Sequence, residues 1–566
     1  MVTMFPKALN HPRFPIIALG GILIVAAIIR FWGISAMDTF HDEGLYSFRS
    51  IGYIDFIDNN AQTTPPQWFK DTPVLPGWTK LSFHDHPPMF FLVQNIFFRI
   101  FGDSLFISRL PSVLAGLGTI ALVYFLCKQI FNRIGQKGEW YGLTGAALLA
   151  VNHIHVWISR SAIFESLLTF FIILNVYCFI RFLEDERSGQ SGWWKWFGVT
   201  LGLILITKYT GGWLIPTYLL YCLIFYRSAF RQWRWYAAAG LAAIIFSPII
   251  IYNAYLYKTV GHFDLQFAYL FHQNTPEWQV SLGKSQEPFS LFIQNLLAMY
   301  SIPFLMMIVG GAGTVAWWWK QQFKFGIWTI VAIAMVTFLL VFIGAAFRFL
   351  SLYIIPAIVL AVMAIGYCVQ HYGSSRESRR IMGILLALFF GYEIFFTTQG
   401  VFVEFPRFGV VEVDEYLNRE LGVERSIAMP QFNNPHLNAM AQSYYQKLPA
   451  GNRAILLVFD ENLSLTTRLW LFMRRTYYHG ISAVTTGNFK SMLQNPGPAY
   501  FKGYEIYFVK GSPDTNLNTL INSSDAQEFE GFIKENLNLQ PDFVSYGHGR
   551  FPGKELPMLT VYKFTL

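Results

Sequence analysis

The sequence predicts a polytopic α-helical membrane protein with a soluble α/β domain at its C-terminal end. Of its 566 residues, 54% are hydrophobic and only 13% are charged, whereas a soluble domain typically carries about 25% charged residues. Long apolar stretches follow one another up to about residue 404. After this point charged and amide side chains return, together with short β-prone segments. These three observations define two predicted domains, over 1–404 and 405–566.

About eleven apolar stretches approach the length of a membrane-spanning helix. We place them at 14–34, 106–128, 141–158, 161–182, 194–207, 210–226, 235–254, 289–318, 325–346, 349–370 and 381–402. Lys and Arg are concentrated in every second loop between the predicted spans. The short turns on the opposite side carry one basic residue each. Because basic loops stay in the cytoplasm, we expect a cytoplasmic N-terminus and an extracytoplasmic C-terminal domain.

The net charge of +8 does not indicate nucleic-acid binding, because the basic residues are spread over short loops between spans. The four cysteines lie in or beside apolar stretches, at spacings typical of neither a zinc site nor a disulfide framework. The first apolar stretch has no small-residue cleavage site after it, so we expect a retained signal anchor.

Two long loops are predicted on the outer side. The first covers about 35–105 and contains an acidic motif, a proline-rich stretch and a His-Asp-His-Pro-Pro sequence at 84–88. Met89–Phe101 is apolar but too short to span comfortably, so we expect an amphipathic helix that lies along the membrane interface. The second loop, about 255–288, is polar and aromatic.

The C-terminal domain alternates strand-like and helix-like patterns. The strand-like segments are Ala454–Phe459, Tyr504–Val509 and Met558–Phe564, and the helix-like segments are Asn462–Tyr477 and Ala526–Asn536. This alternation predicts an α/β domain of about 160 residues.

The acidic pair Asp42 and Glu43 follows the first predicted span. Carboxylates at the end of a membrane helix are costly unless they are paired or lie in a water-filled site. The predicted topology brings further polar residues to the same side of the membrane: His84, Asp85, His86, Arg109, Arg160, Glu165, Lys208 and Arg348. Cations can bind a phosphate and stabilise charge on it as it leaves, and a carboxylate can accept a proton from a nucleophile. The set therefore favours a reaction on a lipid-linked anion.

Each of these residues also has a purely structural interpretation. The acidic pair can cap an interfacial helix, and Arg109 can extend to lipid head groups. Arg160, Lys208 and Arg348 can anchor helix ends, and Glu165 can pair with a neighbouring arginine. His84, Asp85 and His86 carry metal-ligand atoms, but two histidines separated by one residue are a weak signal, so we expect no metal cofactor and a hydrogen-bonding lid instead.

Several motifs resemble the GT-C superfamily of membrane glycosyltransferases, in the branch of the dolichyl-phosphate-mannose–protein mannosyltransferases and the bacterial aminoarabinose transferases. The acidic pair is followed by His86-Pro87-Pro88, and the region 101–116 contains Phe-Gly-Asp-Ser and Ser-Arg-Leu-Pro-Ser. Further motifs are Ser159-Arg160-Ser161-Ala162, Thr207-Lys208-Tyr209-Thr210-Gly211 and Arg348-Phe349-Leu350. The resemblance covers about 14–370.

The resemblance implies a GT-C fold and metal-independent transfer of one hexose or pentose from a polyprenyl-phosphate donor, with inversion of the anomeric carbon. Asp42 would be the general base, and Glu43 would position the sugar or the acceptor. Arg109, Lys208 and Arg348 would contact the lipid phosphate, with Arg160 a further candidate. The remaining substrate-binding candidates are His41, Tyr46, His84, Asp85, His86, Glu165 and Tyr209.

The expected partners are the lipid-linked donor, membrane lipids and an acceptor that is a glycan, a lipid or a protein. The α/β domain does not resemble the β-trefoil of eukaryotic protein mannosyltransferases, which favours a prokaryotic plasma-membrane enzyme of cell-envelope glycosylation. Three alternatives stay open: a metal-dependent oligosaccharyltransferase with His84, Asp85, His86 and Asp42 as ligands, a transporter of lipid-linked sugars, and a binding protein that has lost the chemistry.

Overall fold

The computed structural model describes residues 13–39, 42–56, 63–188, 192–276, 278, 288–320, 324–373, 375–513, 523–549 and 553–566, without the side chains of 185–188. Up to residue 403 the described chain is helical. Its helices are Phe14–Phe31, Glu43–Gly52, Pro65–Trp68, Met89–Phe101, Leu105–Asn132, Gly138–Val151, His153–Arg160, Phe164–Ser188, Trp193–Thr207, Leu214–Phe225, Trp233–Val260, Leu265–Leu270, Phe292–Met299, Ile302–Gly313, Val315–Lys320, Phe325–Ile343, Ile354–Tyr372 and Arg376–Thr398.

In the described part of the chain, seven helical segments are long and apolar enough to cross a membrane. They are Phe14–Ala36, Leu105–Asn132, Phe164–Glu184, Trp233–Val260, Phe325–Ile343, Phe347–Tyr372 and Arg376–Val403. The predicted count of about eleven spans also includes stretches that form shorter apolar helices, such as Trp193–Thr207 and Tyr209–Phe225. The segment Phe347–Tyr372 is almost entirely buried by its neighbours, so it forms the centre of the bundle.

Two predicted spans are interrupted. The stretch 289–318 was expected to be one span, but Phe289–Met299 and Ile302–Gly313 are bent by 108° relative to each other. Ser301 accepts a hydrogen bond from the backbone N–H of Phe304, and Pro303 lies in the first turn, so a new helix begins here. The stretch 141–158 is divided at Asn152, whose side chain accepts from the N–H of His155.

Met89–Phe101 forms the expected amphipathic helix. It buries Phe90, Phe91 and Phe98 against the protein. Its other face exposes apolar side chains, among them Ile96 and Ile100. An exposed apolar face of this kind suits the predicted position along the membrane interface.

The C-terminal domain contains the predicted α/β architecture. Strands β1 (Ala454–Phe459), β2 (Ser482–Thr485), β3 (Tyr504–Gly511), β4 (Phe543–Gly547) and β5 (Leu556–Thr565) form one sheet in the order β2-β1-β3-β5-β4. β1 is parallel to β2 and β3, whereas β5 is antiparallel to β3 and β4. The helices are Val410–Leu421, Pro435–Tyr445, Leu465–Arg468, Leu469–Met473, Arg474–His479, Thr486–Gln494 and Asp525–Asn536.

Apolar side chains pack on both faces of the sheet. The core on one face also includes residues of the first outer loop. The side chains of Leu457 and Tyr507 pack in the same core as Phe48 and Ile51 from the helix Glu43–Gly52. We call Glu43–Gly52 the site helix. Because its apolar residues complete the core of the C-terminal domain, the two domains are packed together at this helix.

Close backbone approach reinforces this contact. A Cβ atom placed on Gly44 would lie 2.4 Å from Thr466 Cγ2 and 3.0 Å from the Thr466 carbonyl oxygen. At the other end of the site helix, a Cβ atom on Gly52 would lie 2.5 Å from the Tyr478 hydroxyl oxygen, which donates to the Phe48 carbonyl at 3.0 Å. The C-terminal domain therefore contacts both ends of the helix.

We expect Gly44→Ala to destabilise the protein by about 1–3 kcal/mol, because it inserts a methyl group into a closely packed contact. Thermal unfolding of the purified protein in detergent measures this loss. Thr466→Ser removes the methyl group that the new side chain would meet, so the double variant should recover part of the loss. Equal unfolding temperatures for Gly44→Ala and the wild type would show that the site helix is not tightly packed against this domain.

Candidate active site

The acidic pair lies at the start of the site helix, where Asp42 precedes the first helical residue and Glu43 is that residue. His41 was expected to contribute to substrate binding, but it lies outside the described residues. The two adjacent carboxylates have different surroundings. Glu43 is fully buried, whereas the Asp42 side chain is 35% exposed.

Glu43 forms a bidentate ion pair with Arg109. The guanidinium Nε and Nη2 donate to Oε1 and Oε2, each at 2.7 Å. The backbone N–H of Ala162 also donates to Oε1 at 2.7 Å. The carboxylate thus joins the first outer loop to the helix Leu105–Asn132 and to the turn before the helix Phe164–Ser188.

The remaining N–H groups of Arg109 donate to backbone carbonyls. They reach Met37 and Asp38, each at 2.8 Å, and the carbonyl of Ile34. All five guanidinium N–H groups are therefore engaged within the protein. Arg109 was expected to contact the lipid phosphate, but this geometry leaves it no N–H for a ligand, and we assign Arg109 and Glu43 a positioning role.

Arg160 is also turned into the protein. It is fully buried and donates to the carbonyls of Ile29 and Arg30 at 2.8 and 3.0 Å. Its guanidinium also lies 4.4 Å from the centre of the Phe402 ring. These contacts tie the end of the first span to the last one, which matches the structural interpretation of Arg160 better than phosphate binding.

Asp42 forms an ion pair with Arg348, from the start of the segment Phe347–Tyr372, and the Tyr46 hydroxyl donates to Asp42 Oδ2 at 2.8 Å. Both charged side chains are partly open, Arg348 being 24% exposed. Burial raises the pKa of Asp42, but the attraction of Arg348 outweighs it and holds the pKa of this carboxyl below its usual range.

A second ion pair lies beside the first. Lys208 Nζ donates to Glu165 Oε1, and Arg348 Nε lies 4.0 Å from the same oxygen. The Phe349 ring centre lies 4.9 Å from the Lys208 ammonium and 5.3 Å from the Arg348 guanidinium. Asp42, Arg348, Glu165 and Lys208 thus form one cluster of two carboxylates and two cations.

Tyr46 connects this cluster to the His-Asp-His sequence. Its hydroxyl lies 3.2 Å from His86 Nε2, and the His86 ring is stacked on Phe164 at 5.0 Å. His86 Nδ1 lies 3.1 Å from Asp85 Oδ2. Burial lowers the pKa of His86 and so favours the neutral imidazole, although the nearby Asp85 carboxylate raises this pKa.

The chain of polar contacts continues through two residues that the sequence analysis did not identify, Arg49 and Asp55. Arg49 donates to Asp85 Oδ1 at 2.8 Å and to Asp55, and the Asp55 carboxylate contacts His84 Nδ1 at 2.9 Å. Arg49 lies one turn after Tyr46 on the site helix, and this spacing could have placed both side chains on the same face of the helix. Asp55 follows the helix and carried no such signal.

The same residues provide the cation-binding candidate of the described chain. Ligand atoms of Asp55, His84 and Asp85 all lie within 4.8 Å of one another. However, Arg49 donates to both carboxylates, so its guanidinium already supplies the positive charge between them. This donor set fits a metal ion poorly, and metal-independent chemistry stays a prediction.

Tyr209 lies in a supporting contact beside the cluster. Its hydroxyl donates to Asp264 Oδ2 at 2.7 Å. Asp264 caps the helix Leu265–Leu270, and the N–H of Leu265 donates to the His84 carbonyl at 2.7 Å. Through this helix the second outer loop holds the His-Asp-His sequence in place.

We expect Glu43→Gln to destabilise the protein by about 3–5 kcal/mol, because it leaves the Arg109 charge buried without its partner. Thermal unfolding of the purified variant checks this. The double variant Glu43→Gln/Arg109→Gln removes both charges and should recover part of the loss. An unfolding temperature equal to that of the wild type, together with lost activity, would instead place Glu43 in the chemistry.

Comparison with known proteins agrees with this fold. Residues 85–252 match the protein family described as dolichyl-phosphate-mannose-protein mannosyltransferase. YycA of Bacillus subtilis, provisionally named a mannosyltransferase, is 28% identical over 149 residues, which are 26% of this chain and 20% of the relative. The chain thus matches about a fifth of the length of that protein.

Two solved structures share the architecture over most of the chain. The apo oligosaccharyltransferase of Archaeoglobus fulgidus has a TM-score of 0.55 at 13% identity, covering 89% of this chain and 70% of its own. Apo ArnT from Cupriavidus metallidurans has a TM-score of 0.51 at 15% identity, covering 96% and 97%. This shared architecture agrees with the predicted GT-C fold, and the match to the mannosyltransferase family covers 85–252.

Proposed function

We propose that the protein transfers a single sugar from a polyprenyl-phosphate donor to an acceptor at the extracytoplasmic face of a prokaryotic plasma membrane. The observation that carries this proposal is the partly exposed pair of Asp42 and Arg348. It presents a carboxylate and a cation side by side at the start of the site helix. The family match at 85–252 supports sugar transfer from a lipid phosphate.

Arg348 is the principal phosphate ligand in this proposal. It is the more open of the two cations in the cluster, since the Lys208 side chain is only 9% exposed. A guanidinium can bind two phosphate oxygens at once and remains charged throughout. Lys208 lies behind it on Phe349 and Glu165, where it adds positive charge next to the phosphate site.

Asp42 is the general base. The acceptor oxygen attacks the anomeric carbon, the bond from that carbon to the phosphate oxygen breaks, and the acceptor proton passes to Asp42. Polyprenyl phosphate leaves with the bonding electrons, and Arg348 stabilises its charge. A single displacement inverts the anomeric carbon. Glu43 is fully enclosed by Arg109 and Ala162, so it supplies no second nucleophile.

Donor binding also activates the base. In the resting protein Arg348 lowers the pKa of Asp42, and a carboxylate with a low pKa is a weak base. The donor phosphate competes for the same guanidinium. As Arg348 turns to the phosphate, its hold on Asp42 weakens and the pKa of Asp42 rises, so the base strengthens when the donor is present.

Asp42→Asn should abolish transfer while the protein still folds, because the amide keeps the shape of the side chain but cannot accept the proton. The measurement is product formation from a panel of polyprenyl-phosphate sugars, detected by mass spectrometry, alongside thermal unfolding. Transfer at the wild-type rate in this variant would remove Asp42 from its proposed role.

Arg348→Gln should shift the acid limb of the pH profile of kcat/KM upward by about 1–3 pH units. In the wild type the base stays ionised below the usual carboxyl range, so activity is retained as the pH falls towards that range. Without Arg348, burial raises the pKa of Asp42, and activity is lost at a higher pH. Arg348→Lys keeps a cation and should leave the limb near its wild-type position.

Arg348→Gln should also lower kcat by about 100- to 1,000-fold, as for the loss of one hydrogen-bond donor to the transition state. The position of the limb is independent of this amplitude. An acid limb at the same pH in wild type and Arg348→Gln would contradict the coupling of Arg348 to Asp42.

A further inference from the structure

A groove lies between the first outer loop, the interfacial helix Met89–Phe101 and the C-terminal domain. It encloses about 910 Å³. Its lining includes the end of the site helix, at Ile51 and Gly52, and the adjoining residues Met440 and Tyr444 from the helix Pro435–Tyr445. None of the residues proposed for catalysis lines it, so the groove is separate from the Asp42 cluster.

Three basic side chains give the groove its positive charge. Lys80, Arg99 and Lys447 line it and are exposed. In the part of the chain that the structure describes, none of the three has a carboxylate within ion-pair distance. Two carboxylates, of Asp55 and Asp103, also line the groove, but both are neutralised by other cations.

Asp55 is buried and bound by Arg49 and His84. Asp103 lies 2.8 Å from His479 Nε2 and 3.6 Å from Arg474 Nη1. Neither carboxylate is therefore available to the three exposed cations. The charge of the groove is therefore complementary to that of an anionic ligand.

Tyr53, Tyr444 and Tyr478 also line the groove, and the backbone fixes the hydroxyl groups of Tyr444 and Tyr478. Tyr444 donates to the Ile51 carbonyl at 2.5 Å, and Tyr478 donates to the Phe48 carbonyl at 3.0 Å. Rings held in this way offer rigid, flat surface at little cost in conformational entropy. Such a lining suits a ligand with apolar and polar faces more than a simple inorganic anion.

The site helix relates the groove to the reaction centre. Asp42 precedes its first residue, and the groove begins at its last two. A helix of ten residues is about 15 Å long, at 1.5 Å per residue. A ligand that occupies both places must therefore be extended.

We propose that the groove binds the distal part of an extended, anionic glycan acceptor whose near end is glycosylated beside Asp42. This inference rests on the proposed function. Phosphate or carboxylate groups of the glycan contact Arg99, Lys80 and Lys447, while its sugar rings lie against the tyrosines. The C-terminal domain thereby selects the acceptor, and the catalytic cluster handles the donor.

The test measures binding of fluorescent dextran sulfate and neutral dextran of equal length to the full-length protein in neutral-lipid nanodiscs. The wild type should bind dextran sulfate more tightly than neutral dextran, and added salt should weaken this binding by screening. Arg99→Ala/Lys447→Ala should weaken dextran sulfate binding at least tenfold. Lys502→Ala, which removes an exposed cation outside the groove, should leave it unchanged.

Unaltered dextran sulfate binding by the double variant would overturn the inference. Binding to vesicles that contain anionic phospholipid is measured in parallel. If Arg99→Ala/Lys447→Ala loses affinity only for these vesicles, the groove binds lipid head groups, and the inference is also overturned.

Failure of the proposed function is distinguishable from failure of the groove. If Asp42→Asn binds dextran sulfate like the wild type but transfers no sugar, both proposals are supported. If the wild type transfers sugar and the double substitution alters neither dextran sulfate binding nor the KM for an anionic glycan acceptor, only the groove inference fails. If the wild type transfers no sugar from any lipid-linked donor, the proposed function fails, and the acceptor role fails with it.

Discussion

The buried ion pair between Glu43 and Arg109 holds the outer end of the bundle together. It joins the first outer loop to the helix Leu105–Asn132 and, through the N–H of Ala162, to the turn before Phe164. Removing two charges from water is costly, and the cost is offset only when their hydrogen-bonding groups are satisfied. Here every N–H of Arg109 has an acceptor. Because Asp42 directly precedes Glu43 in the chain, its position beside Arg348 depends on this pair.

The two adjacent carboxylates thus have separate tasks. Glu43 is enclosed and fixes the position of the site helix. Asp42 is partly open and contacts Arg348, the cation that binds the donor phosphate in the proposed function. Arg348 lies between Asp42 and Glu165, and Lys208 compensates Glu165. The resting cluster is balanced in charge. In the proposed function, the donor phosphate redistributes these contacts, and this redistribution couples donor binding to the strength of the base.

Sequence reasoning predicted the membrane class, the amphipathic helix Met89–Phe101 and three of the five strands of the C-terminal domain, because apolar length and periodicity report directly on these features. It also brought Asp42, Glu165, Lys208 and Arg348 to one side of the membrane. It did not predict their pairing, since Asp42 and Arg348 are 306 residues apart and only tertiary packing brings them together. Arg109 resembled a phosphate ligand because a sequence does not show that five backbone and side-chain acceptors surround a guanidinium. The break at Ser301 was missed because apolarity continues across it, although Ser301 and Pro303 carry the signal of a new helix.

We propose that donor phosphate draws Arg348 away from Asp42. The most direct measurement is a cryo-electron microscopy structure of the protein with a polyprenyl phosphate bound. We expect the phosphate to contact the Arg348 guanidinium and the ion pair with Asp42 to be lengthened or lost. A phosphate bound elsewhere, with Arg348 still paired to Asp42 alone, would contradict it.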